Sequence, residues 1–139
     1  MNAELGTRNA EQSTDLKQRT KTFALDVIRL VRDLPRSWSA AVIGKQLLRS
    51  GTSVAANYRS ARRARSRRDF IAKMSIVEEE ADESQFWLEL LVESHLLGEG
   101  RVSPLRNEAG QLVAIAVSSI TTARGGGRPV PRSAFRVPR

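Results

Sequence analysis

Apolar residues recur along most of the chain at steps of three, four and seven, the spacing of helices with one buried face. The first such stripe starts near Asp15 and runs through Leu16, Phe23, Val27, Leu30 and Leu34, with Ala24 and Val31 beside it. Pro35 ends it, because proline disfavours the α conformation in the residue before it. A second helix is expected from Ser37 or Ser39, either of which suits an N-cap. Its stripe reads Ala40, Ile43, Leu47, Ser50, Val54, Asn57 and Ala61. Small residues crowd this segment, among them Gly44, Gly51, Ser53, Ala55 and Ala56. A helix-interior glycine costs about 1 kcal/mol relative to alanine. Gly51 therefore marks either the close approach of a neighbouring backbone or a break in the helix.

The third helix is predicted to open at Ser66, since Ser66-Arg67-Arg68-Asp69 has the form of a capping box. Phe70, Met74, Val77, Ala81, Ser84, Leu88, Leu91 and His95 form its stripe, with Gly98 and Gly100 as the stop. Such a helix would be a rod of about 45 Å. Ser103-Pro104 reads as the N-cap and first position of a fourth helix. Leu105, Ala109, Leu112, Ala116, Ile120 and Ala123 carry its stripe up to Gly125. The expected fold is all-α: an up-down-up-down antiparallel four-helix bundle over residues 14–124. Residues 1–13, which show no apolar period, are expected to be a disordered N-terminus. Residues 125–139, rich in Gly, Pro and Arg and free of acids, are expected to be a basic disordered tail.

Composition agrees with one helical domain. The chain has 139 residues, of which 40% are hydrophobic but only 5% aromatic. It has no cysteine, which excludes disulfides, zinc fingers, iron–sulfur clusters and thiol nucleophiles. The N-terminal residues lack the apolar core of a signal peptide. The longest strictly apolar run, Leu112 to Val117, is far below the roughly 20 residues that cross a bilayer. A cytoplasmic protein with no membrane contact is the expectation.

Charge changes the picture more. The net charge is +8, which makes polyanions natural partners. The charge is also segregated, with 16 basic and 6 acidic residues up to position 73 and 7 against 9 beyond it. Arg59, Arg62, Arg63, Arg65, Arg67, Arg68 and Lys73 fall in fifteen residues with only Asp69 to oppose them. Arg62 and Arg63 suit the negative end of a helix dipole, whereas Arg67 and Arg68 sit at a positive end, where cations are mildly unfavourable. This basic corner has three readings: a solvated helix end, a phosphate-binding surface, or a partner for carboxylates of a sister subunit. The tail arginines Arg128, Arg132, Arg136 and Arg139 would add to a nucleic-acid surface. Glu78, Glu79, Glu80, Asp82, Glu83, Glu89 and Glu93 follow the corner. Lys45 and Arg49 are expected to lie opposite residues 79–84 and to pair there.

Catalytic readings are weak. A di-iron bundle site requires Glu-x-x-His twice, but His95 is the sole histidine and the residue three before it is Val92. His95 is read as a packed or interface residue. The pairs Glu79/Glu83 and Glu89/Glu93 read as a solvated face. Gly44-Lys45 is followed by Gln and lacks the upstream glycine of a phosphate loop. Trp38, Phe86 and Trp87 are read as core or interface anchors, not base-stacking platforms, because they are not interleaved with the arginines. No catalytic residue, metal site or cofactor is expected. Asn57, polar on an apolar stripe, would either fix oligomer register or cap its own backbone.

Several pieces between Ile43 and Leu97 carry a resemblance: Gln46-Leu47, Ser53-Val54-Ala55-Ala56-Asn57, Arg63-Ala64-Arg65-Ser66, Asp69-Phe70, and Glu80-Ala81-Asp82-Glu83 leading to Trp87-Leu88-Glu89-Leu90-Leu91. In these the chain resembles the four-helix-bundle proteins encoded in intervening sequences of bacterial large-subunit ribosomal RNA. The accessory variability determinant of diversity-generating retroelements is related to them. The resemblance implies a non-enzymatic bundle that assembles into homo-oligomers, typically pentamers. In the retroelement branch the basic pentamer binds nucleic acid and a reverse transcriptase. Ser60 departs from the pattern, since relatives often carry glutamate after this Ala-Asn-Tyr-Arg signature, and the chain sits nearer the intervening-sequence branch. The expected function is therefore a homo-oligomer that binds RNA or DNA backbone through the basic corner, with Asn57, Trp87, Leu88, Leu91 and His95 in packing or oligomer contacts. The alternative is a protein-interaction or scaffold module whose arginines meet acidic surfaces of sister subunits or of another protein; a nucleic-acid-processing protein is a further candidate partner.

Overall fold

In the computed structural model, the described residues are 2–125, with side chains from Asp15 onward. Four helices follow one another: α1 (Asn2–Arg32), α2 (Trp38–Arg62), α3 (Arg67–Glu93) and α4 (Glu99–Ala123). Short connections make consecutive helices antiparallel, and the main seams are α1–α2, α2–α3 and α3–α4. The expected up-down bundle is the observed one. Phe23, Val27, Leu30, Leu47, Val54, Met74, Val77, Leu88, Leu91, Val102, Leu112 and Ile120 lie in one buried cluster that draws on all four helices.

The helix starts illustrate how local chemistry positions these elements. Ser37 and Ser66 adopt extended backbone, and each hydroxyl accepts from an N–H of the first turn, that of Ala40 at 3.1 Å and of Asp69 at 3.0 Å. α2 continues unbroken through Gly51. A Cβ there would lie 2.9 Å from both methyls of Val27, and one at Gly44 would lie 2.8 Å from Leu34 Cδ1. Close approach of α1, not a break, is the role of these glycines. Ser50 and Ser84 do the same for α2 and α3. Both are fully buried, and their hydroxyls hydrogen-bond each other at 2.8 Å across the seam.

Three boundaries differ from the sequence expectation. α1 begins at Asn2, ahead of Asp15, in a segment rich in good helix formers such as Ala3, Glu4, Ala10, Glu11 and Gln12. α3 stops at Glu93, before His95 and the two glycines. His95 has φ +62°, the His95 N–H donates to Val92 O and the Leu96 N–H to Leu91 O. These are the bonds of a left-handed helix stop, so His95 is an exposed terminator and not a packed stripe residue. α4 then starts at Glu99 with Gly98 as its N-cap, which places Pro104 in the second turn instead of the first. Gly125, with φ +78°, ends α4 where expected.

α1 and α4 touch least of the neighbouring pairs, and ion pairs join their faces. Arg19 grips Glu108 with two hydrogen bonds, of 2.7 and 3.0 Å, and donates to Gln111 at 3.0 Å. These bonds hold the Arg19 guanidinium firmly protonated, above its already high ordinary range. Arg101 reaches Asp33 at 2.8 Å near the other end.

Candidate nucleic-acid interface

The basic corner is built by the turn between α2 and α3. Arg59 and Arg62 occupy the last turn of α2, Arg63 is its C-cap, and Arg67 and Arg68 open α3. Arg59, Arg62, Arg63, Arg65 and Arg68 are exposed, while Arg67 and Lys73 are half-buried. Asp69, the lone acid of the run, is engaged elsewhere. Its Oδ2 accepts from the Arg65 backbone N–H at 3.3 Å and pairs with Lys73 Nζ at 3.3 Å. The carboxylate thus shapes the turn, and the exposed guanidinium groups join no ion pair among the described residues.

Antiparallel packing adds cations that sequence reading did not assign to this surface. The early turns of α1 and the end of α4 lie at the same end of the bundle as the α2–α3 turn. Lys17 and Lys21 of α1 share a cleft with Arg59, and Arg124 caps α4 at this end. Nothing in the local sequence marks Lys17 or Lys21, which are ordinary off-stripe residues some 40 positions from Arg59. The tail arginines Arg128, Arg132, Arg136 and Arg139 lie outside the described residues.

Two acids of the run on α3, Glu80 and Glu83, are paired within the bundle. Arg49 bridges Glu80 at 2.8 Å and also contacts Glu83, as the antiparallel register predicts for Arg49. Glu83 in addition accepts from Trp87 Nε1 at 3.3 Å. Trp87 is half-buried against the core and meets Phe86 edge-on at 5.0 Å. Leu88 and Leu91 are core residues with no exposed surface. Asn57 takes the local option: its amide donates to Ser53 O at 2.9 Å and to Ser53 Oγ at 2.8 Å. Trp38 is not a core residue, being 91% exposed.

Among the described residues no group of three His, Asp or Glu side chains converges in a way that could hold a metal ion. No helix of the described residues is long and apolar enough to cross a membrane.

Fold and surface together define a class: an all-α four-helix bundle whose most distinctive feature is one strongly basic end. A model of the 23S rRNA-intervening sequence protein family matches residues 12–118, and the chain belongs to that family. A solved structure, that of a protein of unknown function from the S23 ribosomal protein family of Bacteroides thetaiotaomicron, is similar to it at 35% identity and a TM-score of 0.71. The similarity covers 76% of this chain and 97% of that one. No curated protein matches.

Proposed function

We propose that the protein is a non-enzymatic homo-oligomer, of five subunits as the family resemblance implies, that binds RNA or DNA through phosphate contacts at the basic end of the bundle. The observation that carries this reading is the concentration of exposed cations contributed by α1, α2, α3 and α4 to one end, with Asp69, the acid within the arginine run, already bonded to a backbone N–H and Lys73. Positive charge at the start of α3 opposes its own helix dipole, and a bound phosphate relieves both that repulsion and the repulsion between neighbouring guanidiniums. Recognition of this kind reads backbone charge and not base sequence.

Fluorescence anisotropy of a labelled oligonucleotide across a salt series tests it. About five phosphate contacts give a log–log slope of about −4 to −5 on duplex DNA. Charge reversal at Arg65 and Arg68 should flatten the slope while light scattering reports an unchanged native mass. Absence of binding at low salt would remove the proposal.

A second reading has an observation of its own. Trp38, Val42 and Phe86 are exposed at 91%, 57% and 49%, and apolar exposure of this kind suits contact with protein. Under that reading the arginines meet carboxylates of a sister subunit or another protein. Charge reversal at Arg65 and Arg68 would then reduce native mass instead of nucleic-acid retention.

A further inference from the structure

The basic surface continues from the α2–α3 turn into a cleft of about 220 Å³ between α1 and α2. Lys17 and Lys21 stand on one side of it and Arg59 on the other. Thr20 and Tyr58, 3% and 6% exposed, line it between them. Ala55 and Ala56 complete the lining, and their short side chains leave the space open. Lys17 and Lys21 are one helical turn apart, a like-charge spacing that is mildly destabilising without an anion. Neither they nor Arg59 belong to any ion pair among the described residues.

The larger cleft of about 520 Å³ between α1 and α4 differs in this respect. It is lined by Asp15 and by Arg19, and Arg19 is already committed to Glu108. The α1–α2 cleft, by contrast, combines concavity with three cations that join no ion pair among the described residues. It falls below the roughly 300–1,000 Å³ of sites for whole drug-sized ligands, so it fits a single tetrahedral anion better than a nucleotide. Two ammonium groups act as point charges, and the Arg59 guanidinium adds paired donors suited to phosphate oxygens.

We propose that this cleft is a phosphate site that seats one backbone phosphate of a strand running across the basic corner. The proposal rests on the nucleic-acid reading above and adds to it a fixed anchoring point that includes two lysines of α1. The test pairs ¹⁵N NMR titration with inorganic phosphate and anisotropy of a single-stranded oligonucleotide. The variants are Lys21→Gln with Arg59→Gln, which removes charge, and Ala56→Leu, which fills the cleft at an exposed position and keeps the charge. Arg65→Glu with Arg68→Glu alters the corner outside the cleft. Circular dichroism confirms the fold of each.

Inorganic phosphate should shift the amides of residues 17–21 and 55–59 in the wild type and in the corner variant, but not in either cleft variant. Each cleft variant should weaken oligonucleotide binding about tenfold, and its log–log slope should fall by about 0.7, the share of one single-strand phosphate contact. Oligonucleotide binding with no phosphate response in the cleft would overturn the cleft site and leave the broader reading standing. So would wild-type affinity in both cleft variants, even with phosphate bound, since the cleft would then hold only a free anion. Loss of all oligonucleotide binding by the wild type at low salt would instead remove the reading on which the site depends.

Discussion

Replacing Gly51 by alanine sets two opposing effects against each other, and the structure decides which is larger. In an open helix the change would stabilise by about 1 kcal/mol, because alanine has the higher helix propensity. At Gly51 the new Cβ would lie 2.9 Å from Val27 Cγ1, 2.9 Å from Cγ2 and 3.1 Å from Cβ. Val27 has no exposed surface, and its branched side chain is stiff at χ1. Rotating it cannot clear its own Cβ, so α1 and α2 must move apart. Overpacking of this type costs about 1–3 kcal/mol. The net expectation is destabilisation of about 0–2 kcal/mol. Gly110 in α4 supplies the control. Its added Cβ would meet Gln85 Nε2 at 3.1 Å, the mobile end of a long side chain, so Gly110→Ala should stabilise by about 0.5–1 kcal/mol. Urea denaturation at fixed protein concentration measures both, and their midpoints should shift in opposite directions. If Gly51→Ala stabilised as much as Gly110→Ala, the close approach of α1 and α2 would not be what requires the glycine.

Three further outcomes follow from particular residues. His95→Gly should stabilise the fold by about 0.5–1 kcal/mol in thermal or urea unfolding, since glycine adopts the left-handed conformation at φ +62° without a Cβ penalty. Glu99 at the start of α4 pairs with Arg106, and the hydrogen bond from that guanidinium holds its carboxyl below the ordinary carboxylate range. A lowered carboxyl contributes its stability above the ordinary range and loses it as pH falls through the lowered value. Melting curves of the wild type and Glu99→Gln should therefore differ at neutral pH and converge as pH falls through that lowered value, with only a small gap because the pair is exposed. Trp38→Ser should leave helical content and melting temperature of the isolated subunit unchanged, because the indole is 91% exposed. A change in native mass on that substitution would place Trp38 in a subunit contact.

The helical stripes were readable because each helix carries its own apolar period, and burial followed them closely from Phe23 to Ile120. The N-caps Ser37 and Ser66 were readable for a related reason, since a hydroxyl and the N–H it accepts from lie three residues apart. Helix stops were harder. Gly98 and Gly100 looked like the end of α3, yet the chain turns at His95, five residues after Leu90, where Leu96 and Leu97 can fold back to Leu91. A residue that can visit the left-handed region ended the helix once the next apolar side chains had a core to join. Pro104 is a similar case: a proline suits the first helical turn, yet with Gly98 as the N-cap it falls in the second turn of α4.

The sequence alone determined the number of helices, the faces they bury and the concentration of arginine between Arg59 and Arg68, all of which are properties of spacing within a few turns. Tertiary structure decided which cations stand together. Only antiparallel packing carries Lys17 and Lys21 from α1 to the side of Arg59, and only the register of α2 on α3 sets Arg49 against Glu80 and Glu83. Local period fixes a residue's direction on its own helix, whereas partnership across a seam depends on where two helices lie along each other. That position is set by the contacts of buried side chains such as Val27 against Gly51 and Ser50 against Ser84.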